Sequence, residues 1–254
     1  MGVLNYSFLL NNSETWVDVQ KRTLDLLDDI QFMFLRCLFQ TPRTCPKTAL
    51  MWESGLLKMS HRIAIRKLMF YHHLTYLPSK ALASEIMRIQ EALSYPGLVK
   101  ECKNLQNFYN LPSPDTLSKI QWKTLVKRRV RNTNRKELIA ESKYLSKVDT
   151  SLLEKEEFKI RKYITILNVP DARLRFAIRS NMTRTVKMNY KGIKSYAESD
   201  WRCDRCRSPD TQEHIMLCEA YKKFRVGKDL TKDKDIVDFF RNVIISRSSD
   251  CSGT

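Results

Sequence analysis

The sequence predicts a mainly α-helical fold, and three observations carry that prediction. Only 6 of the 254 residues are Gly, too few for the turns of an all-β chain or for glycine-rich loops. Apolar residues recur every three or four positions through most of the chain, which is the period of an amphipathic helix. Helix stop signals, Pro and Gly, fall between those periodic segments. The proportions of 43% apolar and 29% charged residues belong to a chain that buries a core, not to a disordered one.

Leu24, Leu27, Phe34, Leu35 and Leu38 recur at helical spacing. Residues 14 to 40 therefore read as one long helix, capped by Asn12 or Ser13 and ended by Pro42 and Pro46. A short helix from Lys47 to Ser54 closes at Gly55. A third runs from about Met59 to Leu77, where Pro78 stops it. Ser79 caps a fourth from Lys80 to Leu93, and Tyr95, Pro96 and Gly97 terminate it. Leu98 to Tyr109 is a weaker fifth. The two prolines between Leu111 and Asp115 mark a linker, with Ser113 and Pro114 as cap and first position of the next helix. That helix, residues 116 to 145, has an apolar stripe of Trp122, Leu125, Val126 and Val130 under a cover of Lys123, Lys127, Arg128, Arg131 and Arg135. Pro170 opens a helix from Asp171 to Asn181, with Arg175 and Arg179 one turn apart. Residues 160–169 and 184–190 are the strand candidates. Ile236 to Ile245 forms the last helix, before a Ser-rich tail that frays.

Near the C-terminus, Cys203, Cys206, His214 and Cys218 form a C-x2-C-x7-H-x3-C pattern. Three thiolates and one imidazole are the donor set of a closed tetrahedral Zn²⁺ site, in which the metal is structural and not catalytic. The first two Cys grip an ion from a tight turn, and a helix puts His214 and Cys218 on one face. Asp210 with Glu213 is expected to cap that helix. A redox Cys-x-x-Cys needs a strand-to-helix turn, and the surrounding pattern offers none. So small a module has little core, so metal binding supplies its folding energy. Cys37, Cys45, Cys102 and Cys251 are scattered, as suits a reducing compartment.

The net charge is +17 and unevenly spread. Leu117 to Ala197 holds 21 Lys and Arg against 7 Asp and Glu, a balance of +14, whereas the first hundred residues hold 12 against 8. A cationic block in a folded segment points to phosphate as its partner, RNA or DNA. The candidate contacts are Lys123, Lys127, Arg128, Arg131, Arg175, Arg179, Lys187 and Lys191, with Arg202, Arg205 and Arg207 interleaved among the metal ligands. Tyr190, Tyr196 and Trp201, leading into the Cys cluster, either stack on unpaired bases or pack the metal module. No run of eighteen apolar residues offers a membrane span. His61, His72 and His73 fall on one helix, and the adjacent pair His72 and His73 points to different faces, a poor metal pair. Asp28 and Asp29 resemble a polymerase carboxylate pair but lie in a helical period, where a solvated face is expected. Asp229, Asp233, Asp235 and Asp238, on a short helical tail, make a poor nuclease site.

Several stretches in order resemble one family. They are LLNNSETW from Leu9, FLRCLFQTPRT from Phe34, PKTALMWESG from Pro46, RIAIRKLMFYHH from Arg62, KMNYK from Lys187 and DTQEH from Asp210 inside the Cys cluster. Together, over residues 4 to 222, they resemble the C-terminal third of the polyprotein of non-LTR (LINE-type) retrotransposons, after the reverse-transcriptase palm. The resemblance implies a helical thumb-like domain (1–110), a basic helical connector (111–197), a CCHC zinc knuckle (198–225) and a short helix with tail (226–254). It also implies that Arg62, Arg66 and Lys67 track a template–primer duplex. The palm aspartates of the family have no counterpart here, so nucleic-acid binding without polymerase chemistry is expected. A protein-interaction module and a relic of the element are the alternatives.

Overall fold

The computed structural model describes residues 10–145, 148, 150–183, 202–203 and 205–250. The protein is mainly helical. Twelve α-helices occur among the described residues, with no strand and a single isolated bridge between Arg202 and Pro209. They are α1 (Lys21–Phe39), α2 (Lys47–Ser54), α3 (Met59–Thr75), α4 (Leu82–Ala92), α5 (Leu98–Phe108), α6 (Lys119–Ser142), α7 (Thr150–Lys155), α8 (Lys162–Ile166), α9 (Val169–Arg179), α10 (Gln212–Leu217), α11 (Lys222–Arg225) and α12 (Asp233–Asp250). No helix among the described residues is long and apolar enough to cross a membrane.

Several elements differ from the sequence reading. The fourth helix starts at Leu82 behind Ala81 and is not capped by Ser79, and Pro114–Thr116 form a separate 3₁₀ turn before α6 starts at Lys119. The helix expected from residue 14 begins only at Lys21, and Ser13–Thr15 form a single 3₁₀ turn behind Asn12, whose backbone is left-handed (φ 54°). The strand expected over 160–169 is helix α8, because the adjacent residues Tyr163 and Ile164 are both buried and an alternating strand would expose one of them. Residues 184–190 lie outside the described ones. The last helix reaches from Asp233 to Asp250, longer than its apolar core alone indicates.

The chain divides into two units, residues 1–34 with 56–141, and 35–55 with 142–254. These boundaries cut across the expected division at the Leu111–Pro114 linker. In the first unit α3 is central. Ala64 and Leu68 of α3, Tyr109, and Trp122, Val126 and Val130 of α6 form one buried cluster. The Trp122 Nε1–H donates to the Leu68 carbonyl at 3.0 Å, so the indole is both packed and satisfied. Pro114 is buried too. The basic helix is therefore an integral wall of this unit. Asp28 is half-buried, and its carboxylate accepts the Met59 N–H at 2.8 Å at the start of α3. It offsets the positive end of that helix, where the sequence reading had placed it on a solvated face.

Several charged and polar groups inside the first unit are paired. His61, 3% exposed, bridges the Tyr109 hydroxyl (2.7 Å) and the Glu137 carboxylate (3.1 Å). Lys58 joins Glu137 at 3.2 Å and Glu141 at 2.5 Å. His72 lies 3.1 Å from the Leu117 carbonyl and stacks on Trp122, while His73 is exposed.

In the second unit, Gly55 ends α2 with φ +64°. A Cβ there would lie 2.3 Å from the Ile160 nitrogen. Both the left-handed backbone and the close approach require glycine at this position. Phe39 and Phe176 stack with ring centroids 4.4 Å apart. Around Glu53, 5% exposed, a buried ion cluster closes. Arg179 Nε donates to both Glu53 oxygens (3.0 and 2.9 Å), its Nη2 reaches Glu156 (2.7 Å), and the Tyr163 hydroxyl donates to Glu53 at 2.9 Å. Asn168 caps α9 by accepting the Asp171 N–H at 3.0 Å, with Pro170 in the first turn.

Candidate metal centre

A tight turn and a short helix build the centre. The turn runs from Cys203 to Ser208: the Cys203 N–H donates to the Ser208 carbonyl (2.7 Å) and the Arg207 N–H to the Cys203 carbonyl (2.9 Å). Arg207 takes the left-handed backbone that tightens it (φ 63°). On the other side, α10 places His214 and Cys218 one turn apart. Its cap is Thr211, whose hydroxyl accepts the His214 N–H at 3.1 Å. The Asp210–Glu213 cap expected from sequence is thus displaced by one residue. Asp210 is fully buried and takes a different partner, the Arg247 guanidinium of α12, at 2.7 and 2.9 Å.

The ligand atoms of Cys203, Cys206, His214 and Cys218 all lie within 4.8 Å of one another. The Cys206 and Cys218 sulfurs are 3.7 Å apart, and Cys206 Sγ is 3.1 Å from His214 Nε2. A tetrahedron with metal–sulfur bonds of about 2.3 Å has sulfur–sulfur edges of about 3.8 Å. These four residues form a cluster able to hold a metal ion. The thiols differ in environment. Burial pushes the Cys218 thiol up to about 11. The Ser208 backbone N–H, by hydrogen bonding to Cys206, lowers that thiol below its ordinary value. A bound cation displaces the thiol protons, so occupancy rises with pH.

The module is not the isolated knuckle its length suggests. Cys203, Ile215, Cys218 and Tyr221 share one buried cluster with Ile178 of α9 and Ile236, Val237, Phe239, Phe240 and Val243 of α12. The Arg247 Nε also donates to the Tyr221 hydroxyl at 2.8 Å. Gln212 ties the start of α10 to the Ile178 carbonyl (2.8 Å) and accepts from Thr183 (2.8 Å). The tail helix thus supplies the core that the metal module lacks by itself. Sequence reasoning placed the last helix but missed the Asp210–Arg247 pair and the packing of α12 on the metal module; the one available signal was the pair Phe239–Phe240 at the centre of that helix.

The expected nucleic-acid contacts fall into three groups. Lys123, Lys127, Arg128 and Arg131 on α6, and Arg202, Arg205 and Arg207 at the metal turn, are exposed. Others turn inward, which departs from the sequence reading. Lys67 is buried and ion-paired with Glu101. Arg175 pairs with Asp233 at 2.6 Å, and Arg179 is held in the Glu53–Glu156 cluster. Arg66 donates to the Leu10 carbonyl (2.6 Å) and reaches Glu14 (3.5 Å), and Arg62 lies 3.5 Å from Gln31. Periodicity places such charges on a helix but cannot show carboxylates distant in sequence. Lys187, Lys191, Tyr190, Tyr196 and Trp201 lie outside the described residues.

Comparison with protein-family models, with curated proteins and with solved structures returned no match for this chain.

Proposed function

We propose that the protein binds nucleic acid, RNA or RNA–DNA duplex, mainly through backbone phosphates, around a structural Zn²⁺ held by Cys203, Cys206, His214 and Cys218. The observation that carries the reading is the outer face of α6. Lys123, Lys127, Arg128 and Arg131 stand exposed on it, and none forms an ion pair among the described residues. A row of like charges repels itself unless polyanions or counterions neutralise it. Zinc is favoured by the donor set and the tetrahedral spacing, and four protein ligands leave no open position for chemistry. When bound, the metal supplies folding energy to its module.

In finer detail, the reading follows the resemblance to the C-terminal region of a LINE-type reverse transcriptase. On it, residues 1–110 serve as the thumb-like part, 111–197 as the basic segment whose helix α6 packs into that part, and 198–225 as the zinc knuckle. They hold template and primer without polymerising, so a primer-extension assay with Mg²⁺ yields no product.

The test is fluorescence anisotropy with RNA, single-stranded DNA and hybrid duplex over about 50 to 300 mM salt. Four phosphate contacts lower affinity by roughly two to three orders of magnitude over that range. Affinity that does not change with salt overturns the proposal. It would favour a second reading, a protein-interaction module. One feature supports that reading: Leu82, Ile86, Ile89 and Leu93 form an exposed apolar stripe along and just past α4.

A further inference from the structure

We propose that a cleft between the end of α5 and the middle of α6 is a single-nucleotide pocket, which takes an unstacked base against Phe108 and its phosphate between Arg129 and Lys136. This inference rests on the nucleic-acid reading above and names the unit that is read. The cleft has a volume of about 450 Å³, within the range of about 300–1,000 Å³ typical of ligand sites. Three cationic side chains line it and no carboxylate does.

Phe108 is 62% exposed. The Tyr109 ring packs against it edge-on, with centroids 4.8 Å apart at 81°. Tyr109 in turn is buried, and its hydroxyl is held 2.7 Å from His61. An open aromatic face beside cations is the arrangement that binds single strands. Bases stack on such a face because each has a π-surface, and the cations take the phosphates. A base within a duplex has both faces covered, so the pocket selects unpaired nucleotides. On α6, Arg129, Asn132 and Lys136 follow at i, i+3 and i+7, which places them on one side of the helix. Asn132 puts an amide donor and acceptor at the rim of the cleft, suited to a base edge. This side is distinct from the outer face that carries Lys127 and Arg131, so the two can be changed separately.

Three probes test the proposal with the full chain: a labelled oligouridine of about ten nucleotides, an abasic strand of equal length and charge, and uridine 5′-monophosphate. Phe108→Ala is expected to lower affinity for oligouridine at least about fivefold, with no change for the abasic strand. Arg129→Ala/Lys136→Ala lowers affinity for both strands. Phe108 is exposed, so its variant is expected to keep the wild-type melting temperature; a matched thermal scan shows that the effect is local. Equal oligouridine affinity in Phe108→Ala and wild type overturns the pocket while leaving phosphate binding by the outer face standing. If wild type binds the mononucleotide but no strand, and Phe108→Ala abolishes that binding, the pocket stands as a site for free nucleotide and the nucleic-acid reading falls. If wild type binds none of the three, both fall.

Discussion

Arg179 distinguishes a structural charge from a functional one. Sequence alone sets it beside Arg175 as a phosphate contact, but its guanidinium donates to Glu53 at 2.9 and 3.0 Å and to Glu156 at 2.7 and 2.9 Å. Burial opposes its charge, yet hydrogen bonding and attraction to Glu53 and Glu156 hold its pKa above the ordinary arginine value. Arg179→Met keeps the aliphatic stem and removes the fork. Glu53, with a side chain 7% exposed, then keeps a buried carboxylate without its bidentate partner. Breaking a buried pair from one side costs about 3–5 kcal/mol. For a unit of this size, between the small and larger domains of known behaviour, about 3–5 °C is lost per kcal/mol, so the melting temperature falls by roughly 10–25 °C. Lysine in its place recovers little, since an ammonium cannot span two carboxylates as the planar fork does. The assay is thermal and urea unfolding of the full chain, together with nucleic-acid affinity at a temperature where the variant remains folded. Loss of affinity at an unchanged melting temperature would refute the reasoning and return Arg179 to the binding surface.

Gly55→Ala meets both a left-handed backbone and the Ile160 nitrogen at 2.3 Å. It is expected to cost at least about 2 kcal/mol, and an unchanged urea midpoint would contradict this. Cys206→Ser removes a ligand that is exposed, so it is expected to abolish stoichiometric zinc with little packing damage. Retention of one zinc per chain in a colorimetric release assay would rule against the site. Chelation of the wild type is expected to lower the melting temperature of the second unit, because Cys203 and Cys218 are part of its core. Hydrogen bonding from His61 lowers the Glu137 pKa, against the opposing effect of burial and with help from Lys58. A depressed carboxylate contributes stability above its unfolded value of about 4.3, and that contribution is lost as pH falls through the folded value. Glu137→Gln should therefore flatten the stability of the first unit between about pH 5 and 3, and identical acid limbs in the two proteins would exclude the link.

What the sequence determined by itself is local. Helix α2 matches its expected bounds of Lys47 to Ser54, and Gly55 closes it as expected, because apolar period and C-cap chemistry act within a turn or two. The four metal ligands were legible for the same reason: each pair, Cys203 with Cys206 and His214 with Cys218, is bound by spacing alone. The tertiary structure decided what those segments face. Whether α6 is a free connector or a wall depended on Trp122 finding the Leu68 carbonyl 54 residues away. Arg179 found Glu53 across 126 residues, and Asp210 found Arg247 across 37. The two aromatic residues of the last helix likewise became the core of the metal module. Helical period and capping are set by neighbours along the chain, but the partner of a buried charge is set by which segments close upon each other. One sequence carries the first in its order and the second only through the packing of the whole chain.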